Sequence, residues 1–152
     1  MQDDPKQGFG FIINDVARML RRNFDRRAQC LGLTRAQWRV LVYLHRQDGM
    51  RQTELASLLE VQPISLTRLI DRLVKNDWVE RRSDPGDRRA NQIFLTEKVQ
   101  PLLSQLNSLG KEIQEEAFTG LPTEEREHFM ATLHRIRINV GEAACRKKEK
   151  EK

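Results

Sequence analysis

The alternation of apolar and polar residues predicts helices over most of the chain. A first helix is expected over residues 10–30, followed by Gly32, a residue that commonly ends helices. Its apolar residues recur every three or four positions, which is the helical period: Phe9, Ile13, Val16, Leu20 and Phe24. Thr34 and Gln37 have the spacing of a capping box, so a second helix is expected to start there and to end near Asp48-Gly49.

Two shorter helices follow, predicted over residues 53–60 and from residue 64 to about residue 76. One continuous helix is disfavoured because Pro63 would lie in its interior, at a cost of roughly 3 kcal/mol. At a helix start the missing amide of proline costs nothing. A three-residue turn between short helices is typical of a helix-turn-helix, and small Ala56 allows the two helices to pack closely.

The next segment departs from helical spacing. Residues 78–82 and 91–95 predict two short strands around a Pro85-Gly86 turn, because apolar and polar positions alternate there. A long helix is expected from Thr96-Glu97 to about residue 120, and a final helix starts between residues 122 and 124. The apolar stripe of the long helix is Leu102, Leu106, Leu109 and Ile113. That of the final helix is Phe129, Leu133, Ile136 and Val140.

The predicted fold is mainly α with a small β-hairpin. A helix-turn-helix followed by a hairpin is a winged helix, here residues 34–98, with a recognition helix at 63–76 and a wing at 78–96. The flanking helices, within residues 1–33 and 99–145, carry apolar stripes that a lone helix buries poorly. We therefore expect a homodimer in which these helices pack against their symmetry mates. Residues 146–152 are expected to form a disordered charged tail.

Composition narrows the class of protein but does not identify its partner. The 152 residues, 38% of them hydrophobic and 32% charged, suffice for one domain or two small lobes. The sequence has no apolar run of about 18 residues and no secretion signal, so we expect a cytoplasmic protein without a membrane partner. The net charge of +5 falls to +2 without the last seven residues, so bulk charge alone does not indicate nucleic-acid binding.

The polar side of the recognition helix is more informative than the net charge. Ser65 and Thr67 place hydroxyls near its N-terminal end, where major-groove readers contact base edges. An arginine there can pair with O6 and N7 of guanine. A solvated face paired with nearby acids would be the simpler interpretation of an isolated helix, but the preceding helix and turn favour DNA. Three cations recur on one stripe: Arg68, Arg72 and Lys75.

Together these segments resemble MarR-type regulators, close to the SlyA-like members. The resemblance covers GLTRAQWRVL at 32–41, QTELASLL at 52–59, QPISLTRLIDRLVKNDWVERR at 62–82 and DRRANQIFLTEK at 87–98. It implies a homodimeric bacterial transcription regulator, a repressor or an activator, that binds pseudo-palindromic double-stranded DNA. It also implies the recognition helix in the major groove, the wing in the minor groove, and frequent release by a small phenolic or aromatic-carboxylate effector.

The resemblance assigns roles to the wing. It implies that Arg89, in preference to Arg88, enters the minor groove, that Asp87 steadies the wing, and that Arg88 contacts phosphates. Arg81 and Arg82, on the first strand of the wing, are also expected near phosphates. Glu60 departs from the family pattern, which has glycine there; a left-handed backbone at this residue would cost roughly 1 kcal/mol. The expected DNA-contacting residues are Pro63, Ser65, Thr67, Arg68, Arg72, Lys75, Arg82, Asp87, Arg88 and Arg89.

An effector site is a weaker hypothesis. Trp38 and Arg39 are expected to face Phe11 and Ile12, and aromatic surface beside a cation suits an aromatic acid. The same residues also fit an ordinary core, which is the commoner role for such side chains. Cys30, near two arginines at a helix end, is the thiol best suited to redox sensing, although cysteine is more often a small buried hydrophobe.

Other functions have less support in the sequence. His45, His128 and His134 do not cluster, so neither a metal site nor another cofactor is predicted. The sequence has no Gly-rich phosphate loop, nucleophile elbow or zinc-protease motif, which argues against an enzyme. A winged helix used for protein contact, in an adaptor, stays as an alternative that a salt-dependence measurement on duplex DNA would separate.

Overall fold

The structure is a computed structural model that describes residues 8–150, with side chains for residues 8–87 and 89–141. The chain forms two compact units, Met1–Ile113 and Gln114–Lys152. Its elements are α1 (Phe9–Gln29), α2 (Arg35–Arg46), β1 (Met50–Arg51), α3 (Gln52–Leu59), α4 (Pro63–Lys75), β2 (Val79–Asp84), β3 (Asp87–Leu95), a short 3-10 helix (Glu97–Val99), α5 (Gln100–Ala117) and α6 (Thr123–Lys150). The prediction of a mainly helical fold with a small β-hairpin is confirmed.

The two helix starts that the sequence marks most clearly form as expected. The Gln37 N–H donates to Thr34 Oγ1 at 3.3 Å, and the Thr34 N–H donates to Gln37 Oε1 at 2.9 Å, which completes the capping box of α2. Pro63 is the first residue of α4. Because a first-turn amide has no partner within the helix, proline there costs no hydrogen bond.

The core of the first unit fixes the orientation of α4. Its buried stripe packs with apolar residues of α2, α3 and the sheet. At roughly 25 cal/mol per Å² of apolar surface removed from water, this burial is the main force holding α4 in place. The opposite side of the helix is consequently presented to solvent. The buried side chains of α4 are Leu66, Ile70 and Leu73, all fully inaccessible.

A third strand accompanies the hairpin. The sheet order is β1-β3-β2, antiparallel throughout, with Met50 opposite Ile93 and Val79 opposite Leu95. The two wing strands also extend closer to the Pro85-Gly86 turn than predicted. The sequence could not reveal β1, because a two-residue strand shows no alternation of apolar and polar positions.

Gly49 sets β1 against β3. It has φ +74°, and a Cβ at this position would lie 2.7 Å from Phe94 Cε1. Its N–H donates to the Ile93 carbonyl at 3.0 Å, while the neighbouring Asp48 Oδ1 accepts the Leu95 N–H at 2.9 Å. Both the positive φ and the ring contact therefore require glycine.

A tight joint connects α4 to the wing. Asp77 has φ 55°, and the Trp78 N–H donates to the Leu73 carbonyl at 3.0 Å, which closes the end of the helix. The hydroxyl of Thr96 donates to the Asp77 carbonyl, and Lys98 Nζ lies 3.0 Å from Asp77 Oδ2. The end of α4 is thus bonded to residues at both ends of the wing.

The C-terminal helix is longer than expected. α6 continues to Lys150, so residues 146–150, predicted as a disordered tail, belong to a helix. Lysine, arginine and glutamate are good helix formers, and a charged composition alone does not distinguish a helix end from a tail. Residues 151–152 lie outside the described residues.

The turn between α3 and α4 contains a left-handed residue that is not glycine. Glu60 has φ 56° and ψ 44°. The Val61 N–H donates to the Ala56 carbonyl and the Glu60 N–H to the Ser57 carbonyl, both at 3.1 Å, in the pattern of a Schellman motif. The left-handed backbone considered for Glu60 is therefore present, and the turn keeps its geometry at some conformational cost.

We expect Glu60→Gly to raise the free energy of unfolding by up to about 1 kcal/mol, because glycine adopts this conformation without the clash of a Cβ. Urea denaturation followed by circular dichroism measures the change. Glu60→Ala is the matched control, since it removes the same charge but keeps the Cβ, and it should bring no gain. An equal gain in both variants would mean that the charge of Glu60, and not its conformation, is the destabilising feature.

Candidate nucleic-acid interface

The outward face of α4 carries cations that have no internal partner. Ser65, Arg68, Arg72 and Lys75 are exposed. Within the side chains that the structure describes, none of the three cations has a hydrogen bond or ion pair. Three positive charges on one helix face are thus left available to an external anionic partner.

Thr67, expected beside them as a DNA contact, is used within the protein. It is half-buried, and its Oγ1 accepts from Gln52 Nε2 at 2.8 Å and donates to the Pro63 carbonyl at 3.0 Å. The hydroxyl therefore ties α4 to the first residue of α3. Its geometry favours a positioning role over a direct contact with a base.

Arg81 holds the wing to the back of the recognition helix. Its Nη2 donates to Asp71 Oδ1 at 2.6 Å and to the Thr67 carbonyl at 3.3 Å. It lies opposite Ile93 in the sheet, on the face that packs against the core. The sequence placed Arg81 near phosphates, but the structure places it between β2 and α4. Asp71 is occupied by Arg81, so this acid does not neutralise Arg68 or Arg72.

Arg82 lies on the other face of the sheet. Its Nε donates to Glu80 Oε1 at 2.8 Å, and its guanidinium lies 4.2 Å from the centre of the Phe94 ring. The side chain stays 59% exposed, so the ion pair is a weak one. The remaining N–H groups of Arg82 are open to solvent.

A buried acid fixes the tip of the wing. Asp84 is 4% exposed, and its Oδ2 accepts from Arg51 Nε at 2.6 Å while its Oδ1 accepts from the Gly86 N–H at 2.7 Å. The hydrogen bond from Arg51, and then that from Gly86, hold the pKa of Asp84 below its ordinary range despite burial. The same pairing raises the pKa of Arg51. The sequence pattern gave no sign of this pair, whose members are 33 positions apart.

Arg89 projects from the wing. Asp87 Oδ1 accepts the Arg89 N–H at 2.9 Å, so the aspartate sets the backbone of this residue and leaves the guanidinium unpaired among the described side chains. Arg89 is exposed. The side chain of Arg88 lies outside the described side chains. The Asp87 side chain thus forms a hydrogen bond within the wing.

The start of the recognition helix and the wing line one open cleft of about 180 Å³. This cleft brings the beginnings of α3 and α4 next to the Arg89 segment of β3. Its lining is Arg51, Gln52, Thr53, Pro63, Arg89, Ala90 and Asn91.

Comparison with known proteins agrees with this arrangement. The sequence profile of the MarR family matches residues 33–90. The transcriptional regulator PA3341 is 33% identical over 88% of this chain and 98% of its own, with a TM-score of 0.75. The chain belongs to the MarR family. Wild-type apo MarR from E. coli is 28% identical over 85% of this chain and 96% of its own, with a TM-score of 0.74. A MarR transcriptional regulator from Methanosarcina mazei Go1 is 27% identical over 86% of this chain and 94% of its own, with a TM-score of 0.75.

Membership in the MarR family confirms the family named from the sequence motifs. It makes this chain a winged-helix transcription regulator of a DNA-binding family whose members act as dimers and are not enzymes. The match covers the helix-turn-helix and the wing tip, which are the parts that carry the exposed cations.

The four residues predicted for an effector site are not brought together within this MarR-family chain. The Trp38 indole N–H donates to Asp25 Oδ1 at 2.9 Å, and its ring packs 4.3 Å from that of Phe24. Arg39 Nη1 donates to the Leu59 carbonyl at 3.2 Å. Phe11 and Ile12 are exposed on α1 about 20 Å from Phe24, at 1.5 Å per residue along the helix. Trp38 therefore belongs to the core.

The cysteines and histidines considered from the sequence form no redox or metal site among the described side chains. Cys30 is exposed and free, while the side chain of Cys145 lies outside the described side chains. His45 Nε2 lies 3.1 Å from Asn107 Nδ2. Among the described residues, His, Cys, Asp and Glu form no group of three that would hold a metal ion. No helix in that part of the chain is long and apolar enough to cross a membrane.

We expect Asp84→Asn to lower the free energy of unfolding at neutral pH and the loss to shrink in acid. Because the folded protein holds the pKa of Asp84 below its unfolded value, the carboxylate stabilises the fold above about pH 4. That contribution is lost as the pH falls through the folded pKa. Urea denaturation of both proteins from about pH 7 to about pH 3 measures the difference.

Glu80→Gln is the control for this pH series, because Glu80 is an acid on the same face of the sheet whose ion pair with Arg82 is exposed to solvent. It should change stability little at any pH. A penalty for Asp84→Asn that stays constant over the whole range would contradict the assignment, since the ionised carboxylate would then not be the stabilising form.

Proposed function

We propose that the chain is a homodimeric regulator that binds pseudo-palindromic duplex DNA through α4 in the major groove and the wing in the flanking minor groove. The observation that carries the proposal is that some cations pair with acids of the same chain, whereas others have no partner among the described side chains. Arg51 and Arg81 are committed to internal acids, whereas Arg68, Arg72, Lys75 and Arg89 have no partner among the described side chains. Unpaired, exposed cations on the outward face of α4 and on the wing suit a polyanion.

The apolar surface of the outer helices supports a dimer. Single exposed apolar side chains are normal, but a contiguous stripe marks an interaction surface. α6, described by itself, also exposes Phe129, Met130, Ile138 and Val140. Pairing of two chains through such helices would place two recognition helices about 34 Å apart, one turn of duplex DNA. α1 exposes a stripe of apolar side chains, Phe9, Ile12, Ile13, Val16, Met19 and Leu20, with Phe11 exposed on another side of the helix.

Each free cation has a proposed partner on the duplex. Arg68, in the second turn of α4, pairs with O6 and N7 of guanine, and Ser65 contacts the same groove. Arg72 and Lys75, nearer the end of the helix, bind phosphates. Arg89 enters the minor groove, with Arg88 as the neighbouring phosphate contact.

Two finer assignments belong to the same proposal. The runs at residues 62–82 and 87–98 support a SlyA-like regulator.

A small aromatic or phenolic effector would act by favouring a spacing of the two DNA-binding lobes that no longer matches the groove repeat. A cleft of about 240 Å³ suits such a ligand better than the Phe11 set, because it combines apolar surface with His45, Arg46 and Asn107.

We expect the chain to enrich a symmetric site from random duplexes, with affinity falling steeply as salt rises. Arg68→Ala should lose about 1–3 kcal/mol of binding and relax the preference at one base position of each half-site. Lys75→Ala is the matched control on the same stripe. It should weaken binding to all sequences alike and reduce the salt slope by about one. Fluorescence anisotropy at several salt concentrations measures both effects.

An unchanged base preference in Arg68→Ala would refute its assignment to guanine. Absence of salt-dependent binding to any duplex would refute the regulator and favour the alternative, a winged helix that contacts protein in an adaptor.

Arg89→Ala should weaken binding most on sites whose flanks are rich in A·T pairs, because a narrow minor groove attracts arginine. Competition between A·T-rich and G·C-rich flanks around one core site measures this preference. Arg89→Lys keeps the charge and should retain overall affinity better than the alanine variant. Equal losses on the two flanks would place Arg89 on phosphates instead.

A further inference from the structure

Ile64 is an apolar residue on a charged surface. Its side chain is 62% exposed, the largest exposure of any large apolar side chain described in the unit Met1–Ile113. It is the second residue of α4, immediately after Pro63. An exposed isoleucine here stabilises neither the core nor the helix, since β-branched residues are weaker helix formers than alanine.

The position of Ile64 on α4 coincides with the unpaired cations. At 100° per residue, Ile64 lies within about 40° of Arg68 and about 20° of Lys75 around the helix axis. The buried side chains, centred on Leu66 and Leu73, point the opposite way. Ile64 therefore occupies the outward stripe, one turn before Arg68.

The local turn offers no other use for this side chain. A hydrophobic staple at the start of α4 would pair Val61 with Leu66, because Gln62 is the residue that caps the helix. Ile64 is not one of those two positions. Its 62% exposure also shows that no other element covers it.

The chemistry of the major groove supplies a partner for an apolar group at this point. Base edges there offer hydrogen-bond donors and acceptors and one apolar group, the C5 methyl of thymine. A β-branched side chain has few rotamers, so it is already ordered before contact and loses little entropy in making it. The cations around Ile64 favour a polyanionic partner, because clustered Lys and Arg on one helix face suit the phosphates of a duplex.

We infer that Ile64 determines specificity for thymine: it packs on the C5 methyl of one thymine in each half-site, beside the base read by Arg68. This inference rests on the proposed placement of α4 in the major groove. It assigns a base preference to an apolar residue that shares its stripe of α4 with the cations Arg68 and Lys75.

The test replaces thymine by deoxyuridine, which differs only by the missing methyl. Sites are first selected by the full-length protein from random duplexes, and each symmetric pair of thymines in the selected site is then exchanged for deoxyuridine in turn. We expect one pair to matter, with affinity lower by about fourfold for one half-site and about fifteenfold for both, as for a buried methyl-sized group. Anisotropy titrations at fixed salt measure the ratio.

Matched variants test whether the discrimination between thymine and deoxyuridine depends on the Ile64 side chain. Ile64→Ala should bind the thymine and deoxyuridine sites equally, whereas Ile64→Val should keep part of the discrimination. Leu58→Ala, at another exposed apolar residue but in α3, should keep all of it. Circular dichroism confirms that each variant is folded, which the exposure of both positions favours.

The outcomes separate this inference from the function on which it rests. A selected site that binds equally well with deoxyuridine at every position overturns the role of Ile64 and leaves the regulator intact. Full discrimination retained by Ile64→Ala does the same, and assigns the methyl contact to another residue. Failure of the wild-type protein to select any duplex overturns the proposed function and this inference together.

Discussion

The ion pair between Arg51 and Asp84 is the contact on which the candidate interface depends. Arg51 belongs to β1 and directly precedes α3, and the next residue, Gln52, bonds to Thr67 of α4. One short path of hydrogen bonds therefore runs from the tip of the wing to the recognition helix. Loss of Arg51 would leave the buried carboxylate of Asp84 without its charged partner, which is costlier than losing a contact between two exposed side chains. The wing and α4 thus hold their cations at a fixed separation, as recognition of a regular helix such as duplex DNA requires.

Arginine in this protein serves two different purposes that look alike in the sequence. Arg39, Arg51 and Arg81 bond to a helix end or to acids inside the first unit. Arg68, Arg72 and Arg89 extend from the same unit without a partner among the described side chains. The first group orders the scaffold, and the second group leaves its charge available to a ligand. The basic composition therefore overstates the charge that is free for binding.

The sequence predicted what depends on local spacing and missed what depends on contacts between distant residues. Helical periods, the Thr34 capping box and Pro63 identified the helices and the turn, because each signal lies within a few residues. β1 was missed since it is a strand only through its pairing with β3. The bond from Trp38 to Asp25 spans 13 positions, and nothing in the local pattern distinguishes that tryptophan from a pocket residue. Arg81 was misplaced for the same reason, because its partner Asp71 lies ten positions away.

The joint at Asp77 limits how such a protein can change its behaviour. Because Leu73, Trp78 and Thr96 bond across it, α4 and the wing have little freedom to rotate separately. A signal that reaches this unit must therefore move helix and wing as one rigid body, so in the proposed complex the contacts in both grooves would be gained or lost together. The exposed residues of α4, in contrast, take no part in the joint. Substitution at exposed positions such as 64 and 68, proposed to contact bases, would therefore leave the mechanical coupling of the unit unchanged.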